Sequence, residues 1–426
     1  MNLLNNPEKR KWMIVVTIFI AIICNYLDRQ LLSILKPTIK AAFDMNDDGY
    51  AFIVNIFLIC YAVMYPISGI LVDRFGPKKV MFLGILAWSA ACIGGGLSTN
   101  MEQFAFFRGL LGLAEPTIFA GQIVAVTVWF EKRQRATANS LCTAGGSIGT
   151  VVAPIVIAWL STIFPWNDVF VLAGAIGILI AIVWMAVYAD PPKEILDVTL
   201  SESAANRHHG KAFTWGGLWK TRTLWGVLLI RFVSDPVWYF CLFWLPGYLQ
   251  EDSGLTLIQV GWVGWIPFLF LFGAVGGVLT SAWSDKMVRK GMDPLRARKR
   301  MMTLVAVAAP LCIFTPYFNA LPPYWNVAAI IASFSLIAIM CLSWLYTICV
   351  VIAEAFPVRN VASVVGITAG FGAVGGAIFN YYVGQLLSTM GPSLFLVMGV
   401  LHWIAVVILW KMTRPEIPQE KQAVQK

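Results

Sequence analysis

Gly69-Ile70-Leu71-Val72-Asp73-Arg74-Phe75-Gly76-Pro77-Lys78-Lys79 is a short charged turn between two long apolar runs. One run covers roughly 50–72 and the other roughly 79–98, each near the roughly 20 residues that a helix needs to cross a bilayer. A degenerate copy, Ser281-Ala282-Trp283-Ser284-Asp285-Lys286, follows about half a chain later. A second echo also lies about half a chain apart: Arg135-Ala136-Thr137-Ala138 with Thr143-Ala144-Gly145 answers to Arg359-Asn360-Val361-Ala362 with Thr368-Ala369-Gly370. Outward from the quoted turn, apolar runs between polar breaks predict twelve spanning helices. The first six cover 13–35, 50–72, 79–98, 104–129, 137–162 and 168–189. The second six cover 224–249, 258–283, 301–319, 325–354, 362–388 and 392–412.

Composition fits a chain dissolved in lipid. Of 426 residues, 59% are apolar and 12% charged, with mean hydropathy +0.74, whereas a soluble domain is roughly 45–50% apolar. Such a chain cannot assemble a polar surface, which excludes a soluble enzyme, a secreted module and a disordered scaffold. The eight cysteines all lie in apolar runs without a CxxC or Cys/His cluster, so neither a disulfide framework nor a zinc site is expected, and no cofactor. The charged stub Glu8-Lys9-Arg10-Lys11 leads into apolar sequence that ends in Asn25-Tyr26-Leu27-Asp28-Arg29 and not in a small-residue cleavage site. The first helix is therefore read as retained. The fold class predicted is an all-α membrane protein of 12 transmembrane helices in two pseudo-symmetric six-helix bundles. The bundles are 1–189 and 223–426, joined by a polar linker, 190–222, that holds Pro191-Pro192 and His208-His209.

The net charge of +9 is unevenly spread. With both termini on one side, 26 of the 31 lysines and arginines fall in segments on that side. Only Lys36 and Lys40 lie on the other, and Arg29, Arg108 and Arg231 lie within spans. The positive-inside rule makes the basic side cytoplasmic. The positive charge thus belongs to loops and not to a nucleic-acid surface.

The quoted turn resembles the signature loop between helices two and three of the major facilitator superfamily, and with twelve spans the resemblance covers nearly the whole chain. It implies a gating role for Gly69, Asp73, Arg74, Gly76 and, in the second copy, Asp285; the alternative is that these charges only fix topology. In such folds, parallel repeats about a membrane-normal axis place the site near the midplane. Asn25-Tyr26-Leu27-Asp28-Arg29-Gln30 and Arg108-Gly109-Leu110-Leu111-Gly112-Leu113-Ala114-Glu115 resemble the anion:cation symporter branch, whose members carry sugar acids and other organic anions. Arg231-Phe232-Val233-Ser234-Asp235-Pro236-Val237-Trp238, then Phe243-Trp244-Leu245-Pro246, is similar to bacterial hexuronate transporters. The resemblance places Tyr61 at a substrate contact and suggests Asn380 as another.

Charged groups inside a bilayer cost at least ~2.5–3.5 kcal/mol each on insertion scales, so each needs a purpose. Arg231 and Asp235, four apart on one helix face, can neutralise each other. Asp28 and Arg29 are adjacent and point about 100° apart. The planar fork of Arg29 suits the carboxylate of a substrate; the alternative is a permanent partner such as Glu115. Asn25 shares the face of Arg29, and Trp238 is a further candidate for the polyol. Arg108 and Glu115 lie seven apart, about 10.5 Å along one face, too far to pair directly. That leaves Glu115, with Asp28, to carry protons, structural pairing being the alternative. Arg108, Arg231 and Asp235 supply supporting charge. His402 reads as a hydrogen-bonded packing residue.

The function expected is a proton-coupled symporter importing a sugar-acid anion, a hexuronate first, by alternating access. Its partners are the anion, protons and the bilayer, and it acts as a monomer in the inner membrane with both termini cytoplasmic. A carrier of galactonate, glucarate or another organic anion is the alternative, as is an uncoupled facilitator or channel. The chain has no GxxxxGK[ST] loop, HExxH or GxSxG, so neither an ATP-driven pump nor an intramembrane enzyme is expected.

Overall fold

The computed structural model describes residues 6–130, 132–192, 215–251, 256, 265–318, 320–356, 358–389 and 393–415. Every regular element among them is helical. In the first part of the chain these are α1 (Pro7–Ile34), α2 (Lys36–Ala42), α3 (Asp47–Phe75), α4 (Pro77–Gly96), α5 (Met101–Ala114), α6 (Pro116–Trp129), α7 (Lys132–Leu160) and α8 (Trp166–Val187). There follow α9 (Trp215–Trp219), α10 (Arg222–Phe243), α11 (Leu245–Glu251), α12 (Trp265–Arg289), α13 (Pro294–Val305), α14 (Leu311–Phe318), α15 (Pro323–Ala355), α16 (Val358–Thr389) and α17 (Ser393–Met412). Twelve stretches are long and apolar enough to span a membrane, as expected. α5 and α6 form a single span, and so do α13 and α14. Large apolar side chains face outward along them, such as Ile70, Leu179 and Leu279 at 60–66% exposure.

Polar caps set where the spans begin. Asn6 accepts from the Glu8 and Lys9 amides at 3.0 and 3.3 Å, Asn46 from Gly49 at 3.0 Å and Asn100 from Gln103 at 2.9 Å. Asp293 accepts from the Arg296 amide at 2.8 Å, with Pro294 in the first turn. Each side chain satisfies an amide that the helix itself cannot. The ninth span therefore starts at Pro294 and not at 301, because a cap and a proline start a helix even where arginines depress hydropathy. Between α3 and α4, Gly76 adopts φ +79°, a conformation that other residues enter only with strain. Span four breaks at Glu115, since Pro116 has no N–H to continue the ladder.

Cα packing separates two units, Met1–Arg207 with Pro246–Pro267, and His208–Leu245 with Phe268–Lys426. In the first, α1 packs on α7 and α8, α4 on α8, and α3 on α5. In the second, α10 packs on α16 and α17, and α14 on α17. Thr280 on α12 meets Ser343 on α15 at 2.6 Å. The pairing of spans one with five and six thus recurs as seven with eleven and twelve, which is the pseudo-symmetry that the repeats predict. The α1–α7 contact is close because a Cβ on Gly145 would stand 2.6 Å from the Phe19 carbonyl oxygen.

By Cα packing α11 goes with the first unit from Pro246 on. Four charges hold it there. Lys36 Nζ, buried at the start of α2, lies 2.8 Å from Glu251 and 2.9 Å from Asp47. Lys40 Nζ lies 3.0 Å from Asp47 and 3.1 Å from Glu251. Gln250 donates to the Ile34 carbonyl at 3.0 Å. The two lysines that depart from the positive-inside bias are thereby neutralised. Burial opposes the charge of Lys40, but hydrogen bonds to Asp47 and Glu251 hold its ammonium above the usual lysine range.

Candidate functional site

The first unit gathers Asn25, Asp28, Arg29, Tyr61, Arg108 and Glu115, all buried. α1 supplies the first three. Residues 28 and 29 diverge around its axis as adjacent positions must, and they find different surroundings. Arg29 forms an ion pair with Glu115 through Nη2, and its Nε donates to the same oxygen at 3.2 Å. Its guanidinium lies over Tyr61, Tyr26 and Phe57 at 4.9, 5.2 and 5.5 Å from the ring centroids, a placement that favours a cation electrostatically. Phe57, Tyr61 and Tyr65 form a ladder along α3 with centroids 5.7 and 5.5 Å apart. Arg108 also lies over Phe57, 5.4 Å from its centroid, and donates to the Asp28 carbonyl at 3.3 Å.

Glu115 is thus paired. Its position at the α5–α6 break, beside α1, brings it to Arg29, which is the alternative partner the sequence allowed. The pair does not exhaust the polar groups. Glu115 Oε1, Asp28 Oδ2, Arg108 Nε and Nη2, and both polar atoms of the Asn25 amide are buried with no hydrogen-bond partner among the described residues. Cys92 Sγ lies 3.3 Å from the Phe170 carbonyl and 3.6 Å from Asp28 Oδ1, and its single proton serves only one of them. Each unsatisfied buried group costs about 1–3 kcal/mol, so a concentration of them marks a place built for further partners. Gln122 turns to α7, donating to Asn139 Oδ1 at 2.8 Å and Thr143 at 3.0 Å.

The second unit holds the remaining candidates. Arg231 and Asp235 form the expected pair at 2.7 Å. Trp238 is half-buried, edge-on to Phe270 with centroids 5.8 Å apart. Asn380 is fully buried and engaged at both ends: Oδ1 accepts from Trp244 Nε1 at 2.5 Å, and Nδ2 donates to the Gly376 carbonyl at 2.9 Å. Trp244 was missed, although it stands in the quoted Phe243-Trp244-Leu245-Pro246 stretch. His402 packs edge-on to Trp344 at 5.2 Å, but neither ring nitrogen has a hydrogen-bond partner among the described residues, contrary to the hydrogen-bonded role expected.

Of the gating candidates, Gly76 caps α3 and a Cβ on Gly69 would meet nothing within 4 Å. Arg74 is exposed and lies 5.3 Å from the Phe75 ring centroid. The side chain of Asp73 lies outside the described residues, as do His208 and His209 in the linker. Asp285 pairs with Arg298 at 2.6 Å, and Arg298 also reaches Glu354 at 3.2 Å and Ser284 at 2.5 Å. Arg298 and Glu354 were not singled out in the sequence; the basic run 296–300 was visible only as charge.

Residues 18–350 match the model of the Major Facilitator Superfamily. The probable L-galactonate transporter of Escherichia coli (strain K12) is 30% identical over 294 residues, 67% of this chain and 64% of that protein. The hexuronate transporter of the same strain is 25% identical over 415 residues, 94% of this chain and 93% of that one. Among solved structures, an inward-facing, occupied bacterial homologue of the human lysosomal transporter Spinster superposes with a TM-score of 0.75 at 17% identity, covering 94% of this chain and 96% of that one. With twelve spans in a repeated arrangement and a family match over most of its length, the chain belongs to the Major Facilitator Superfamily, a superfamily of membrane transporters and not of enzymes.

Proposed function

We propose that the protein is a proton-coupled symporter that carries a sugar-acid anion, a hexuronate first, across the inner membrane as a monomer by alternating access. The observation that carries this reading is the buried Arg29–Glu115 pair surrounded by unpartnered polar atoms. Support for the substrate class comes from relatives named as hexuronate and L-galactonate transporters and from the helix-one and helix-seven motifs. Arg29 offers a planar fork to a carboxylate. Glu115 competes for that fork while ionised and releases it when it takes a proton, so proton and substrate anion arrive together. Asn25 and Tyr61 contact the polyol from the first unit; Trp238 and, on exchange of its present bonds, Asn380 are assigned to it from the second. Asp28, whose Oδ1 lies 3.6 Å from the Cys92 thiol, takes a second proton. The bundles 1–189 and 223–426 move as the two bodies of the cycle, with the 190–222 linker and both termini cytoplasmic. Asp73, Arg74 and Asp285 act at the gate.

Counterflow of glucuronate, galacturonate, galactonate and glucarate in liposomes tests the substrate. We expect glucuronate or galacturonate to exchange fastest. Exchange of none of the four overturns the sugar-acid reading, and a faster galactonate or glucarate moves the assignment within it.

A further inference from the structure

We propose that a basic groove at the turn between α12 and α13 binds the phosphate headgroup of an anionic phospholipid. The spans Ile266–Arg289 and Pro294–Phe318 meet at this turn, so it lies at a membrane–water boundary by the lengths of its own helices. The turn is well defined: the Gly291 amide donates to the Val288 carbonyl at 2.9 Å and the Met292 amide to the Met287 carbonyl at 3.2 Å. Gly291 has φ +92°. The groove it forms encloses about 340 Å³ and is lined by Lys290, Arg296 and Arg300, with Met287, Met292 and Asp293. That is within the roughly 300–1,000 Å³ of small-ligand sites.

The three cations are exposed, and none has a carboxylate in ion-pair reach among the described residues. Asp293, the acidic group of the lining, accepts from the Arg296 amide at 2.8 Å and keeps its charge, so the three cations outweigh one carboxylate. Neighbouring Asp285 is committed to Arg298 at 2.6 Å. Arg300 Nη1 is held at 3.8 Å from Met292 Sδ, a soft acceptor that leaves its charge uncompensated. Setting topology requires only that positive charge lie on one side; it does not require three cations to converge on one groove.

The surroundings favour a lipid over a soluble phosphate. One turn before Met287, Trp283 is 52% exposed, and one turn after Arg300, Leu304 is 49% exposed. Residues four apart share a helix face. Leu279 continues the apolar face of α12 at 63% exposure, and Val307, in the 3-10 turn that follows α13, is 61% exposed. A basic head site thus runs directly into apolar surface on the same two helices, matching an acidic headgroup with its acyl chains. Each basic residue near an anionic membrane surface contributes on the order of a few-fold in affinity.

The full-length protein in detergent is offered phosphatidylglycerol, phosphatidylcholine or glycerol 3-phosphate, and lipid retention is read by native mass spectrometry together with the thermal shift. Wild type should retain phosphatidylglycerol over phosphatidylcholine and ignore glycerol 3-phosphate. The triple variant Lys290→Gln, Arg296→Gln, Arg300→Gln should lose about 10- to 100-fold in phosphatidylglycerol affinity. A control that removes the same charge elsewhere, Lys9→Gln, Lys220→Gln, Lys411→Gln, should behave as wild type. The charge-keeping variant Lys290→Arg, Arg296→Lys, Arg300→Lys should also retain the lipid, which separates loss of charge from loss of fold. Equal retention by wild type and the groove triple overturns the site. So does equal loss in the control, which reports diffuse surface charge, or an equal shift with glycerol 3-phosphate, which reports a soluble-anion site.

Discussion

Arg29 combines a buried charge, an ion pair and a stack of three rings, so its replacements separate those contributions. Arg29→Lys keeps the charge beside Glu115 and loses the planar fork. A charge-assisted hydrogen bond is worth roughly 1.5–3 kcal/mol, so substrate affinity should fall about 10- to 100-fold with the fold intact, as measured by calorimetric titration. Arg29→Ala should instead unfold early, because breaking a buried pair from one side costs roughly 3–5 kcal/mol. Asn380→Ala leaves the Trp244 indole N–H buried without its acceptor and should lower stability by about 1–3 kcal/mol in thermal unfolding. Unchanged stability with lost binding would assign Asn380 to the substrate alone. Arg29, Asp28 and Glu115 were legible one by one, because ionisable groups in apolar runs are few. Their pairing was not. Helical periodicity states which face a residue occupies, but not which faces meet across 86 positions for Arg29 and Glu115 or 136 for Trp244 and Asn380.

Among the elements, hydropathy located all twelve spans because lipid demands an unbroken apolar run of nearly fixed length. It did not locate their interruptions. Pro116 removes one amide from the ladder beside Glu115, whose own backbone stays helical at φ −57° and ψ −40°. Pro116→Ala restores an amide donor, so stability should hold within about 1 kcal/mol. Substrate exchange should stay at the wild-type level, and a loss of about 10- to 100-fold would show that the missing amide places the site. At Gly76, φ is +79°. With ψ 156° this is a region open essentially to glycine alone, so Gly76→Ala should destabilise by about 1–3 kcal/mol, read as a lower unfolding temperature in detergent.

For the molecule as a whole, the question is what drives accumulation. A hexuronate monoanion entering a negative interior costs about 2.3 kcal/mol per 100 mV, which one proton cancels and a second overcomes. Asp28→Asn and Glu115→Gln should each abolish pH-driven accumulation in liposomes, while at least one retains exchange, which needs no net proton release. If both accumulate substrate as wild type does, coupling through this pair is wrong. Cysteines placed in 190–222 should react only from the cytoplasmic side, and labelling from outside intact cells would overturn the orientation.

The four-charge clasp of Lys36, Lys40, Asp47 and Glu251 gives the protein a chemical clock. Amine acylation requires the free base, and Lys36 is 1% exposed while Lys40 is held protonated above the ordinary lysine range. Both amines should therefore be slow toward an N-hydroxysuccinimide ester beside exposed lysines such as Lys9 and Lys220. Any state that parts α11 from α2 takes Glu251 from both lysines, uncovers Lys36 and leaves Asp47 alone to hold the Lys40 ammonium. The acylation rate of these two residues then counts how often the clasp opens, without a mutation or an attached probe.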